Sequence, residues 1–190
     1  MAKARRKFNV WRGVIKARGK IRRVFTRYKV LYEILTVLLI VGILFFGMKG
    51  AICLALRTGD PYRAVTSDSM KHADELWRDW FLEMGHDPSN FPLQGGFERG
   101  DLMFVQGVNP FEDIKIGDVI VFNVPSYRLP FVHRVVSITN VGGEIRFTTK
   151  GDANPGILPV ERSIKPEQII GEVVFIIPKL GHLSLWWQGE

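Results

Sequence analysis

Hydrophobic and polar positions divide this chain into stretches of different period. Between Ile34 and Leu56 the residues are apolar at almost every position, interrupted by one charge, Lys49, near the far end. Those 23 positions match the roughly 20 apolar residues that a membrane-crossing helix needs. Lys49 is tolerated there because its stem is apolar and its ammonium can reach the headgroups. The run is longer than the 7–15 residues usual in a cleaved signal peptide, and the charged region before it is long. A retained signal-anchor over residues 31–56 is therefore expected. Beyond it, short runs rich in β-branched and aromatic residues follow Gly-Asp or Gly-Gly turn signals: Leu102–Val105, Val119–Val124, Phe131–Ile138, Glu144–Thr149 and Glu172–Ile177. These predict a mainly β, compact antiparallel domain over residues 57–190. One segment breaks the pattern. In Ala73–Gly85, Trp77, Trp80, Phe81 and Met84 recur at helical spacing, which predicts an amphipathic helix that either packs on the β domain or touches the membrane interface, where Trp is favoured.

Charge sharpens this division. Residues 1–30 hold 12 Lys or Arg and no acidic residue, whereas the remaining 160 hold 14 basic and all 19 acidic residues. A basic arm suits nucleic acid or anionic lipid, and the adjoining apolar span favours lipid and speaks against nucleic acid. Positive residues beside a span stay on the cytoplasmic side, so the arm is expected inside and residues 57–190 outside the cell membrane. Cys53 is the one cysteine, which excludes an intrachain disulfide. No Cys/His cluster or Gly-rich phosphate loop suggests a metal or other cofactor.

Candidate chemistry lies in three segments: Val65-Thr-Ser-Asp-Ser-Met70, Phe131-Val-His-Arg-Val-Val136 and Thr148-Thr-Lys-Gly-Asp-Ala-Asn154. A serine hydroxyl is a weak nucleophile at neutral pH. It needs a base within reach, and an imidazole base needs a group that holds its tautomer. Ser, His and Asp are supplied here by separate segments that a β domain could bring together. The other histidines, His72, His86 and His182, read as solvated or locally bonded, with His72 the nearest rival base because it follows Ser69 by three residues. Asp101 and Asp118 read as turn residues ahead of strands.

Ser67-Asp-Ser69-Met70 resembles the Ser-x-Ser-Met signature of the type I signal peptidases. Gly100-Asp-Leu-Met-Phe-Val105 and Gly117-Asp-Val-Ile-Val-Phe122 resemble that family's two Gly-Asp-plus-strand blocks, Val132-His-Arg-Val-Val136 its base-bearing strand, and Lys150-Gly-Asp152 its last block. Order and rough spacing agree over residues 60–180. Histidine at position 133, where bacterial members have lysine, makes the chain similar to the archaeal and endoplasmic-reticulum branch; small size, a single anchor and the basic arm suggest an archaeal enzyme. The resemblance implies a signal-peptidase-type β catalytic domain that removes signal peptides close to the protein-conducting channel, with small side chains preferred at the first and third positions before the cut. It implies Ser69 as nucleophile, His133 as general base, Asp152 as the acid that orients the imidazole, and the Ser69 N–H with the Ser67 hydroxyl as oxyanion hole. Two departures stand out. Lys71–Arg99 is inserted between Ser-Met and the first Gly-Asp, either to shape the cleft or as a surface elaboration. A second acidic residue close behind Gly-Asp, present in many archaeal members, is missing from Ala153–Val160, and the next acid is Glu161. Two rival readings are a non-catalytic membrane-anchored module of the same fold and a protease of this family that matures a narrow set of proteins.

Overall fold

The computed structural model describes residues 2–188, and the chain divides into two units at Ala51 and Ile52. The first is helical. Helix α1 (Ala2–Ala55) runs through a stretch that contains no proline, and its portion Tyr28–Ala55 is long and apolar enough to cross a membrane. The arm belongs to the same helix; the directions of its side chains before Tyr28 lie outside the described residues. Arg57, in the left-handed region at φ 51°, ends the helical path, and the Thr58 N–H donates back to the Cys53 carbonyl at 3.1 Å.

The second unit is a six-stranded antiparallel sheet. Its strands are β1 (Tyr62–Ala64), β2 (Leu102–Gln106), β3 (Val119–Phe122), β4 (Phe131–Val141), β5 (Glu144–Lys150) and β6 (Ile169–Ile177), in the order β1-β2-β6-β3-β4-β5. All four residues of β3 are buried. Successive strand residues point to opposite faces. Val119 and Val121 accordingly join one apolar cluster with Val65, Met70, Met103 and Val173, while Ile120 and Phe122 join another with Val135, Phe147 and Ile164. The sheet is thus covered on both faces. Both Gly-Asp pairs form turns. Gly117 takes φ 98°, and a Cβ there would lie 2.4 Å from the Phe91 ring. Asp118 accepts from the Lys115 N–H at 2.7 Å, and Asp101 from the Glu98 N–H at 3.0 Å and the Lys179 N–H at 2.8 Å.

The amphipathic segment forms helix α2 (Leu76–Glu83), shorter than its periodic pattern. The Asp74 carboxylate accepts from the Leu76 N–H at 3.1 Å at its start, and Gly85 at φ 80° follows its end. Trp77 and Phe81 are buried against Val136 of β4, with Trp80 partly covered and Met84 exposed. A last helix, α3 (His182–Gln188), has no counterpart in the sequence reading.

Candidate active site

Ser69 stands on a turn held from three sides. The Asp68 carboxylate accepts from the Arg99 N–H at 2.8 Å, and the Ser69 carbonyl accepts from the Ala153 N–H at 2.9 Å. Met70 is buried in the core, its carbonyl taking the Phe97 N–H at 3.0 Å. An apolar anchor on one side and a polar tether on the other leave the serine side chains facing outward. The Ser67 and Ser69 hydroxyl oxygens are 3.1 Å apart. Both line a cleft of about 940 Å³ with His133, and apolar residues including Val65, Phe97, Met103 and Leu129 form its walls. Edge strand β1 contributes Tyr62, Arg63 and Ala64 to the same cleft. Among the described hydrogen bonds the Ser69 hydroxyl is joined to Ser67, and none joins it to His133.

His133 lies in β4 opposite Ile120 of β3 and is buried. Its Nδ1 faces Glu161 Oε1 in a short contact. Glu161 is fully buried, and its carboxylate also accepts from the Leu158 N–H at 2.7 Å and the Thr149 hydroxyl at 3.3 Å. A carboxylate only accepts, so Nδ1 is the nitrogen that donates to Glu161, and Nε2 makes no described hydrogen bond. Three donors make this buried carboxylate sustainable.

Among the described hydrogen bonds Asp152 meets Arg134 and His72, not the His133 with which the resemblance paired it. Its oxygens accept from Arg134 Nη2 at 2.8 Å and Nε at 3.1 Å, and Oδ2 also meets His72 Nε2 at 2.7 Å. Strand alternation is the reason. His133 shares a face with Phe131 and Val135, whereas Arg134 points to the other, where Val132 and Val136 lie. Thr149 pairs with Val135 and Lys150 with Arg134, so the chain leaving β5 brings Asp152 to the arginine, and Glu161 returns beside Thr149 to the histidine. Burial pushes the Asp152 carboxyl up, but bonds from His72 and Arg134 outweigh it and hold the group below its ordinary range.

His72, the rival base, is occupied, and so is the nearby Lys150. His72 has Nε2 on Asp152 and Nδ1 3.1 Å from the Gln94 carbonyl oxygen, so neither nitrogen is free for a proton from serine. Burial lowers the Lys150 pKa, but its ammonium donates to the Gly151 carbonyl at 3.1 Å and lies 5.6 Å over the Trp80 ring, away from the Ser69 cleft. The inserted segment supplies much of this shell: Pro92 accepts from Arg134 Nη1 at 2.8 Å, and Trp77 lies 4.7 Å from its guanidinium. Among the described residues no group of His, Cys, Asp and Glu is placed to hold a metal ion.

Comparison with known proteins agrees with the resemblance. The signal peptidase complex catalytic subunit of Sclerotinia sclerotiorum is 35% identical over 98 residues, covering 49% of this chain and 57% of its own. That of Lachancea thermotolerans is 35% identical over 113 residues, 53% of this chain and 66% of its own. The Saccharomyces cerevisiae subunit is 35% identical over 101 residues, 50% and 59% of the two chains. The chain is similar to the catalytic subunits of signal peptidase complexes. It spans between about half and two thirds of the length of these relatives. They are fungal, so the archaeal placement expected from size and anchor finds no support in them. No family model matches the chain.

Proposed function

We propose that this chain is a membrane-anchored serine endopeptidase that removes signal peptides from exported proteins, with Ser69, His133 and Glu161 as its working residues. The observation that carries this is the single cleft shared by Ser67, Ser69 and a His133 whose Nδ1 is held by a buried carboxylate. Glu161 takes the orienting role that the resemblance assigned to Asp152, and Asp152 serves the scaffold. In the reaction, Ser69 Oγ attacks the scissile carbonyl carbon and its proton passes to His133 Nε2. Glu161 stabilises the imidazolium, which then returns the proton to the leaving amine as the peptide bond breaks. Water, deprotonated by the same nitrogen, hydrolyses the acyl-serine and restores the hydroxyl. The Ser69 N–H and the Ser67 hydroxyl stabilise the oxyanion.

Edge strand β1 supports an extended substrate, because among the described residues no strand pairs with its outer side, and its residues line the cleft. A peptide adding to that edge would gain backbone hydrogen bonds without regard to sequence, and the apolar walls would sort its side chains. The anchor supports action at the membrane. Twelve residues separate Leu56 from Ser69, so the serine lies within roughly 45 Å of the end of the span. The basic arm supports an orientation with residues 1–30 in the cytoplasm and residues 57–190 outside it. The relatives are subunits of a complex, so this chain is proposed to act beside partner proteins. Purified protein in lipid is expected to cleave a preprotein, and the Ser69→Ala and His133→Ala variants are not. Absence of cleavage by the wild type would leave a non-catalytic module as the reading, and equal cleavage by Ser69→Ala would remove Ser69 as the nucleophile.

A further inference from the structure

We propose that His72, brought in by the inserted segment, is a positioning residue for Ser69 that acts through Asp152; the inference rests on Ser69 being the nucleophile. Two links join the stretch 69–72 to the turn 151–154. One is the Ala153 N–H donating to the Ser69 carbonyl at 2.9 Å, and the other is His72 Nε2 meeting Asp152 Oδ2 at 2.7 Å. The turn closes on itself through the Asn154 N–H and the Gly151 carbonyl at 2.9 Å. It also lies tight against the nucleophile: a Cβ on Gly151 would come within 2.9 Å of the Ser69 carbonyl oxygen. Whatever sets the turn therefore sets the Ser69 backbone, and with it the hydroxyl and the N–H proposed for the oxyanion hole.

The His72 ring is itself fixed. It stacks on Trp77 with centroids 4.6 Å apart and planes 19° from parallel. Gly96, at φ 63°, lies so close that a Cβ there would sit 2.7 Å from His72 Cγ. Nδ1 faces the Gln94 carbonyl oxygen at 3.1 Å. Gln94 is held in turn, its amide donating to the Pro88 and Phe91 carbonyls at 2.7 and 2.8 Å and its oxygen accepting from Arg78 Nη2 at 2.6 Å. All of these partners belong to the insertion. Arg134 fixes Asp152 from the sheet side, and His72 fixes it from the Ser69 side. With both ring nitrogens engaged, His72 does not receive the serine proton; its effect passes through the carboxylate.

The test compares His72→Phe and His72→Gln in the full chain in lipid, with Ser69→Ala as control. Phenylalanine keeps the stacking surface and removes the donor, and glutamine supplies an N–H near the position of Nε2. Small displacements of reacting groups cost on the order of 100-fold, so His72→Phe is expected to lower kcat about 10–100-fold with little change in KM. His72→Gln is expected to recover most of the loss. In hydrogen exchange, the Ala153 amide in His72→Phe should exchange at least about tenfold faster while the β3 amides keep their protection. Full kcat in His72→Phe, in a preparation where Ser69→Ala is inactive, overturns the proposal. Equal impairment of the Phe and Gln variants overturns it too, because bulk rather than the donor would then matter. If wild type and Ser69→Ala are alike, the nucleophile reading fails on its own. The exchange measurement then decides the structural claim, and unaltered Ala153 protection in His72→Phe refutes it.

Discussion

His133 and Arg134 are neighbours in β4, yet they leave the strand on opposite faces and meet different carboxylates: His133 meets Glu161, and Arg134 meets Asp152. One residue of register separates a proposed proton-transfer group from a buried structural ion pair. The two acids should therefore fail in different ways when neutralised.

Glu161→Gln keeps size and leaves the Arg134 pair intact, but an amide N–H facing Nδ1 favours the wrong tautomer. Cleavage should fall by about 10³–10⁴ in kcat. Asp152→Asn should show the opposite balance, because it leaves a fully buried guanidinium without its counter-charge, a loss of about 3–5 kcal/mol. Thermal unfolding beside single-turnover kinetics separates the two. A large stability loss in Glu161→Gln with normal stability in Asp152→Asn would exchange their roles.

The paired serines give a graded prediction. Ser69→Ala should abolish cleavage without loss of fold, because its side chain makes no described hydrogen bond beyond Ser67. Ser67→Ala removes one proposed oxyanion donor and should slow kcat by about 10²–10³. An active Ser69→Ala beside a dead Ser67→Ala would move the nucleophile by two residues.

Much of the fold was legible because short β-branched runs behind Gly-Asp turns are a local signal. Five of the predicted strands form, with ends shifted by a few residues. Strand β1 escaped because Tyr-Arg-Ala is too short to show alternation, and its place in the sheet depends on pairing with β2. The predicted helix begins only at Leu76, where the Asp74 side chain takes the Leu76 N–H in a local turn ahead of it. Motif chemistry singled out Ser69 and His133, and the fold brings both to one cleft. The carboxylate that faces His133 was not legible, since Asp152 and Glu161 both follow β5 and the face to which each returns is decided by tertiary packing against Thr149 and Arg134. The value of His72 was hidden for the same reason, as its partner lies 80 residues away.

Orientation has a direct test. Protease added outside right-side-out vesicles should digest the chain beyond Arg57 and spare the arm, whose 12 basic residues favour the cytoplasmic side. Protection of the sheet domain in that assay would reverse the topology and remove the proposed encounter with exported substrates.

The last prediction concerns stability against pH. Glu172 of β6 pairs across to Ile120 and Gln106, and its carboxyl is pushed up to about 7, first by burial and then by Asp118 and Asp113, with Lys115 opposing. An acid whose folded pKa exceeds its unfolded value binds its proton more tightly in the folded state. Its contribution to stability is therefore fully present below the ordinary value of 4.5 and is lost as pH rises through about 7. Asp152 has the opposite sign: held below its ordinary 3.8, it contributes above that value and loses its contribution as pH falls further. Glu172→Gln removes the ionisation, so its Tm should gain on wild type as pH rises from about 5 to about 8, with the largest advantage at the alkaline end. Thermal unfolding of both proteins across that range checks it, and parallel curves would show that Glu172 ionises in the folded protein as readily as in the unfolded chain.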